Sequence, residues 1–229
     1  MIFNEKVAVR ENAAELMTKV YFYMMIALII TTLSALFMIA NPNLMGAVFG
    51  NRILFYGILI VEVGLVIFLS SQIDKINFFG AALGFAVYSA LTGVTMSVIF
   101  IIYKPQTIAL AFAVTAGTFA VMSIYGYFTK QDLTAIGNLF LMLLVGVIIG
   151  TIVNIFLKNS MFDMIITYIT LIVFIGLTAY DTQKIKNAAE SSIGYGDTKG
   201  KVALMGALTL YLDFINLFLT IVKLLGKRN

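Results

Sequence analysis

The chain has 229 residues, of which 61% are hydrophobic and 11% are charged, with a net charge of +4. Soluble domains carry about 25% charged residues, so this composition cannot build a polar surface and most of the exterior has to face lipid. Cysteine and histidine are absent, which excludes disulfides, thiolate nucleophiles and imidazole chemistry. Nothing in the modest net charge indicates nucleic-acid binding, and proton chemistry has to use Asp, Glu, Lys or Tyr.

The amino terminus, residues 1–19, carries six charged side chains. It lacks the order of basic start, apolar core and cleavage site of a signal peptide, and it predicts an aqueous tail. An apolar stretch of about 20 residues is long enough to cross a bilayer as a helix. Seven such stretches follow, at 20–40, 52–73, 78–103, 107–128, 135–157, 162–184 and 202–225. We therefore predict an all-α integral membrane protein, a seven-helix bundle forming one domain over 1–229.

The connections between the spans are short and polar, except for one long polar loop predicted from Gln183 to Lys201. An odd number of spans places the two termini on opposite sides of the membrane. Nine Lys and Arg residues then fall on the side of the amino terminus and six on the other. Because basic residues accumulate on the cytoplasmic side, this bias predicts a cytoplasmic amino terminus.

Asp213 is the most informative residue, because it lies in the middle of the seventh span with no cation within four residues. An ionisable side chain at this depth costs roughly 2.5–3.5 kcal/mol on insertion scales, which indicates a functional role. The polar residues of this span share one helical face that should point into the bundle; they are Thr209, Asp213, Asn216, Thr220 and Lys223. The alternative is a single acid that is hydrogen-bonded for packing.

Asp181 occupies the end of the sixth span, on one face with Thr167, Thr170 and Thr178. Lys184 lies three residues further on and offers a second interpretation, an ion pair at the membrane surface. Spans six and seven are joined by one connection, so Asp181 and Asp213 are expected at similar depth. Two carboxylates in contact cannot both ionise cheaply in a low dielectric. The pair is therefore a candidate proton sensor, and its ionised form is a candidate oxygen site for Ca²⁺.

Glu62 in the second span also lacks a nearby cation. Lys223, at the end of the polar face of the last span, is a candidate partner that would form a latch with it. A lysine so close to a helix end can equally extend its amine to the membrane surface, and the sequence leaves both interpretations open.

Two segments, GLTAYDTQKIK at 176–186 and LYLDFINLFLTIVKLLG at 210–226, resemble the Bax inhibitor-1 family, including its bacterial YccA-like and YetJ-like members. The resemblance implies a seven-helix bundle with a central last helix, in a bacterial plasma membrane. It also implies a Ca²⁺ leak across the membrane and a pH sensor made of two aspartates, which match Asp181 and Asp213. A latch in a bacterial relative matches Glu62 and Lys223. The chain departs from the pattern by having Lys223 where a relative has arginine, which removes bidentate geometry.

The main enzymatic alternative is an intramembrane aspartyl protease, because Tyr180-Asp181 and the segment 194–197 (Gly-Tyr-Gly-Asp) resemble the motifs of that class. Asp197 lies in a stretch too polar to be a span, so the second catalytic acid would be in water. A retinal protein would use Lys223, which lies too near the helix end, and a rhomboid-type serine protease would need histidine. We therefore expect no enzymatic activity and no cofactor.

Two functional hypotheses remain. The first is a pH-sensitive Ca²⁺-permeable leak, or a cation/proton exchanger, with Ca²⁺ and protons as its ligands and lipid as its surroundings. The second is a regulator that conducts nothing and binds another membrane protein, such as a protease, through the Gln183–Lys201 segment or the amino-terminal tail. The sequence does not separate these hypotheses, whereas flux through the purified protein would.

Overall fold

The computed structural model describes residues 2–73, 75–191 and 197–226. Over these residues the secondary structure is helical, in nine segments. The helices are α1 (Ile2–Ala40), α2 (Pro42–Gly50), α3 (Arg52–Gln72), α4 (Phe78–Met96), α5 (Ile99–Ile102), α6 (Pro105–Phe128), α7 (Thr134–Leu157), α8 (Ser160–Ser191) and α9 (Asp197–Leu225).

Seven helical segments of the described chain are long and apolar enough to cross a membrane, which confirms the predicted number. They are Ala13–Ala40, Arg52–Gln72, Phe78–Ile102, Pro105–Phe128, Thr134–Leu157, Ser160–Glu190 and Lys199–Leu225. Three of the seven, at Arg52, Phe78 and Thr134, begin at the predicted start or within one residue of it. The first includes residues before the predicted start at 20, and Ala13, Leu16 and Met17 in this part are buried. The fold is the predicted all-α seven-span class.

The long loop predicted from Gln183 to Lys201 is wrong for the residues that the structure describes. Helix α8 continues to Ser191 and α9 already begins at Asp197; the five residues between them lie outside the described chain. The polar composition of this segment predicted a loop, but the Gln, Lys, Ala and Glu residues in it are all good helix formers. Since these residues extend a helix that packing already holds, no nucleation cost opposes them.

Some membrane spans start at a polar capping residue that lies just before the apolar stretch of the sequence. The Asn51 side chain accepts from the backbone amides of Ile53 and Leu54 and starts α3. Asn77 accepts from the amide of Gly80 at the start of α4. These side-chain bonds satisfy amides that the first helical turn leaves without partners. Lys158, with φ of 50°, adopts the left-handed conformation that ends α7.

The chain forms two compact units, and both α8 and α9 contribute to each. The first unit comprises Met1–Ile102 and Ala188–Tyr211, and the second comprises Tyr103–Asn187 and Leu212–Arg228. Burial is greatest in the last span, which buries 67% of its most apolar stretch, whereas the fifth span buries 0%. This difference agrees with the prediction that the last helix is central.

Within each unit one pair of helices crosses at a glycine. In the first unit, a Cβ at Gly93 of α4 would overlap the Thr31 backbone of α1. In the second unit, a Cβ at Gly126 of α6 would overlap the Ala179 backbone of α8. Small residues allow such backbone approach in membrane bundles, and the second crossing lies two residues from Asp181.

Candidate functional site

The structure brings Asp181 and Asp213 together in the second unit. Asp181 lies on α8 and Asp213 on α9, and their exposed fractions are 8% and 4%. The two carboxyl groups lie close enough to interact as charges and to share a hydrogen bond when one of them carries a proton. We call these two residues the aspartate pair.

The bond within the aspartate pair requires a proton. Two ionised carboxylates can only accept, so a hydrogen bond between them forms when one carries a proton. The Oδ2 atom of Asp213 is buried without a hydrogen-bond partner among the described residues. A buried oxygen without a partner indicates a site where a proton, a water or an ion belongs.

The α9 residues that follow Asp213 pack into an aromatic cluster with α6. Phe214, the next residue on α9, packs against Phe119 and Phe112 of α6, with ring centroids 5.5 and 5.8 Å apart. Phe218, one turn further, also contacts Phe112 at 6.4 Å. Because both aspartates are buried, the interaction of two charges on them is screened far less than it would be in water.

The α8 side of the pair is held by polar contacts to α6 and to the α6–α7 connection. The Thr182 hydroxyl donates to the Thr178 carbonyl at 2.7 Å and lies 3.4 Å from Ser123 Oγ. The Gln183 side chain accepts from the Leu133 amide at 2.9 Å and donates to the Gln131 carbonyl at 2.7 Å. These bonds fix the turn of α8 that follows Asp181.

Gln183 is a residue that the sequence analysis assigned to a loop. It is 7% exposed and sits inside α8, where one side chain satisfies both a donor and an acceptor of the 129–133 connection. In the sequence, Gln183 is distinguished only by its position after Tyr-Asp-Thr. This position does not identify a hydrogen-bond partner 50 residues away.

Lys184 is exposed and its amine lies 5.8 Å from the centroid of the Tyr180 ring. It interacts with Asp181 through its charge, but none of the ion pairs recorded among the described residues joins the two. The surface ion pair that the sequence offered as the alternative for Asp181 is therefore not formed in this structure.

The remaining polar residues of the predicted α9 face bond within their own helix. Thr209 donates to the Met205 carbonyl at 3.1 Å, Asn216 to the Leu212 carbonyl at 2.8 Å, and Thr220 to the Asn216 carbonyl at 2.7 Å. On α8, Thr178 likewise donates to the Phe174 carbonyl at 2.7 Å. These groups thus donate within their own helices, whereas Asp213 keeps a buried oxygen without a hydrogen-bond partner among the described residues.

Lys223 forms an ion pair that the sequence analysis did not include. Its Nζ lies 2.7 Å from Oδ1 of Asp163, and both side chains are nearly half exposed. Asp163 is in the first turn of α8 and Lys223 in the last turn of α9, positions that suit an acid and a base at helix ends. That placement was the one sequence signal for Asp163.

Glu62 is half-buried on α3 and accepts from the Thr95 hydroxyl of α4 at 3.0 Å. Glu62 belongs to the first unit and Lys223 to the second, and each contacts another residue in its own unit. The latch between Glu62 and Lys223 stays a prediction.

The protease-like segment cannot be followed as a whole. Residues 194–196 lie outside the described chain, and Asp197 is the first residue of α9. Within the described residues no group of three or more Asp or Glu side chains could hold a metal ion.

Known proteins match this chain over nearly its whole length. A family model described as "Inhibitor of apoptosis-promoting Bax1" matches residues 13–229. Inner membrane protein YbhL of Escherichia coli (strain K12) is 45% identical over 214 residues, covering 93% of this chain and 91% of that protein. An uncharacterized protein of Borreliella burgdorferi is 40% identical over 212 residues, with coverage of 93% and 91%.

A third bacterial relative, uncharacterized protein RP147 of Rickettsia prowazekii, is 38% identical over 220 residues, covering 95% of this chain and 92% of that protein. The family match includes both segments that carried the resemblance, 176–186 and 210–226, and the seven-span architecture agrees with it. The chain therefore belongs to the Bax inhibitor-1 family of membrane proteins.

Proposed function

We propose that the protein is a pH-sensitive, calcium-permeable leak channel, or a cation/proton exchanger, gated by Asp181 and Asp213. The observation that carries this proposal is the direct contact of two buried carboxyl groups from α8 and α9, one of which keeps an oxygen without a partner. Membership in the family supports a role in membrane transport or regulation. The protein acts by moving ions rather than by catalysing a reaction.

The charge state of the aspartate pair sets the gate. With one shared proton, the two carboxyls bond to each other and hold α8 against α9. Without that proton, two negative charges repel across an apolar surrounding and also become ligands for a divalent cation. Ca²⁺ takes six to eight oxygens, and two carboxylates supply at most four. Water completes the shell, so the ion is held loosely enough to leave.

The test is Ca²⁺ entry into dye-loaded proteoliposomes between pH 5 and pH 8. Wild-type flux should depend on pH, and Asp213→Asn flux should lose this dependence. The asparagine amide removes the second negative charge and donates an N–H to the Asp181 carboxylate, so Asp181 no longer needs a proton to keep the contact. Asp132→Asn is the matched control: Asp132 is exposed and accepts from the Thr134 amide, which asparagine can also do, so its pH profile should equal that of the wild type.

A second arm of this experiment uses competition. Because Ca²⁺ and the proton would occupy the same oxygens, raising Ca²⁺ should move the midpoint of the pH dependence to lower pH. An unchanged midpoint, or an Asp213→Asn profile identical to that of the wild type, would refute gating by the pair. If neither protein conducts at any pH, the leak is excluded and the non-conducting regulator of another membrane protein becomes the hypothesis to pursue.

We also propose that the protein resides in a bacterial inner membrane with its amino terminus in the cytoplasm. The name of the Escherichia coli relative, inner membrane protein YbhL, supports the inner-membrane location. The excess of Lys and Arg on the amino-terminal side supports the orientation.

A further inference from the structure

Tyr211 lies two residues before Asp213 on α9 and is completely buried in the first unit. Two rings of α4 hold its ring edge-on, with centroid distances of 5.6 Å to Phe85 and 5.9 Å to Tyr88. A tyrosine packed in this way still carries a polar hydroxyl that needs a partner. Replacing Tyr211 by phenylalanine would therefore remove this hydroxyl and keep the ring contacts.

The Tyr211 hydroxyl is hydrogen-bonded to Thr31 of α1. The two oxygens are 2.6 Å apart, and the Thr92 side chain of α4 lies close enough to be a second partner of the phenol. Thr31 Oγ1 also lies 2.9 Å from the Ala27 carbonyl and 3.0 Å from the Ser89 carbonyl of α4. A carbonyl can only accept, so a Thr31 hydroxyl that donates to either carbonyl accepts the Tyr211 proton. These bonds connect α9 to α1 and α4.

The partners of Tyr211 lie at a tightly packed crossing of α1 and α4. A Cβ at Gly93 of α4 would overlap the Thr31 backbone, so the two helices are in direct contact beside the hydroxyl. Thr31 and Thr92 are buried, and a hydrogen bond shielded from water is electrostatically stronger than an exposed one. The phenol thus attaches α9 to a rigid part of the first unit.

We propose that Tyr211 is a positioning residue, whose hydroxyl holds α9 where Asp213 meets Asp181 and whose bond to Thr31 breaks when the aspartate pair separates. This inference rests on the proposed gating by that pair. Tyr211 and Asp213 belong to one continuous helix, so a rotation or slide of α9 that takes Asp213 away from Asp181 also displaces the phenol.

Loss of the hydroxyl should move the gate to lower pH. The bond to Thr31 stabilises the state in which the pair is in contact and holds a proton. Without this bond the separated, deprotonated state gains population, and a higher proton concentration is needed to restore the contact.

The substitution Tyr211→Phe changes position without changing charge. Tyrosine is neutral between pH 5 and pH 8, so its replacement leaves the electrostatics of the aspartate pair unaltered. The titratable groups that interact with Tyr211 are Tyr88 and Glu62, and the cation that interacts with Asp181 is Lys184. All three are kept in the variant. A shifted midpoint therefore reports where α9 lies.

The experiment follows the full-length protein in liposomes between pH 5 and pH 8 by two readouts. One is Ca²⁺ entry, and the other is the distance between spin labels at Ile172→Cys of α8 and Leu219→Cys of α9. Both positions are exposed, and the chain has no cysteine of its own. Tyr211→Phe should move the midpoint of both profiles to lower pH by about half a unit, the size that the loss of one hydrogen bond gives.

Variants at Thr31 test whether the phenol acts through this partner. Thr31→Val should shift the midpoint in the same direction, and Thr31→Ser, which keeps the hydroxyl, should retain the wild-type profile. Because one bond is lost in either case, the double variant should shift no further than the larger single shift. The matched control is Tyr125→Phe on α6, where the tyrosine is 45% exposed, and its profile should equal that of the wild type.

Two results would overturn the inference. If the wild-type label distance responds to pH and Tyr211→Phe has the same midpoint, the hydroxyl does not position the pair, even if its loss lowers Tm. A label distance that pH leaves unchanged in the wild type would show that α9 does not move. If the wild type conducts no Ca²⁺, the leak is excluded, and a shifted label-distance midpoint in Tyr211→Phe still supports the inference because that readout needs no flux.

Discussion

At the scale of single residues, the site owes its properties to the few polar groups that are not used by their own helix. Threonine and asparagine side chains on α8 and α9 donate to the carbonyl one turn back, a bond available to them in any helix. Asp213 and Asp181 have no such donor, so they interact with each other. This contrast distinguishes the two aspartates chemically from the other polar residues on the same faces.

Gln183 gives a prediction at this scale. Gln183→Leu removes both partners from the backbone of the 129–133 connection, and a buried backbone group without a partner costs about 1–3 kcal/mol. For a chain of this size, each kcal/mol lowers Tm by about 2–4 °C. Thermal unfolding of the purified protein in detergent should show this loss.

The matched control for Gln183 is Gln131→Leu. Gln131 contributes its backbone carbonyl to the contact, while its own side chain is exposed, so its Tm should stay within a degree or two of the wild type. Equal Tm values for Gln183→Leu and the wild type would show that the two bonds contribute no net stability.

At the scale of helices, the position of Asp181 depends on how closely α6 and α8 approach. Gly126 allows the Ala179 backbone to pack directly on α6. Gly126→Ala forces the helices apart, and overpacking of this kind costs about 1–3 kcal/mol. We expect a lower Tm in detergent together with an altered pH dependence of Ca²⁺ flux, since Asp181 moves with α8.

Gly117 supplies the control on the same helix. A Cβ at Gly117 would meet nothing within 4 Å, so Gly117→Ala should leave the pH profile unchanged and raise stability by about 0.5–1 kcal/mol through its better helix propensity. If both substitutions behave alike, the contact of α6 with α8 does not position the site.

At the scale of the whole molecule, the seven spans and the excess of basic residues predict which connections face the cytoplasm. The cysteine-free sequence allows this to be tested without removing native thiols. Lys104 and Lys130 flank α6 and are both exposed. In cells, a membrane-impermeant maleimide should label Lys104→Cys from outside, and Lys130→Cys only after lysis. The reverse pattern would place the amino terminus outside.

The sequence was sufficient for the spans and for the two aspartates because both signals are local. An apolar run long enough to cross a membrane needs no partner to be recognised, and Asp213 is conspicuous because its neighbours are apolar. Gln183 and Asp163 were missed because their partners lie 50 and 60 residues away. The extension of α8 to Ser191 was missed because polar residues were taken to end a span, although a helix can continue into water.

The unequal anchoring of α8 and α9 has a mechanical consequence. Within the second unit, Gln183 and Thr182 tie α8 to fixed backbone and side-chain positions by directional bonds. Apart from the aspartate pair itself, the polar tie recorded between the described residues of α9 and its neighbours in that unit is the exposed pair of Lys223 and Asp163, and the ring contacts are aromatic. Apolar surfaces tolerate sliding and rotation better than directional bonds do. When the aspartate pair changes charge, α8 should stay in place and α9 should slide or rotate against it.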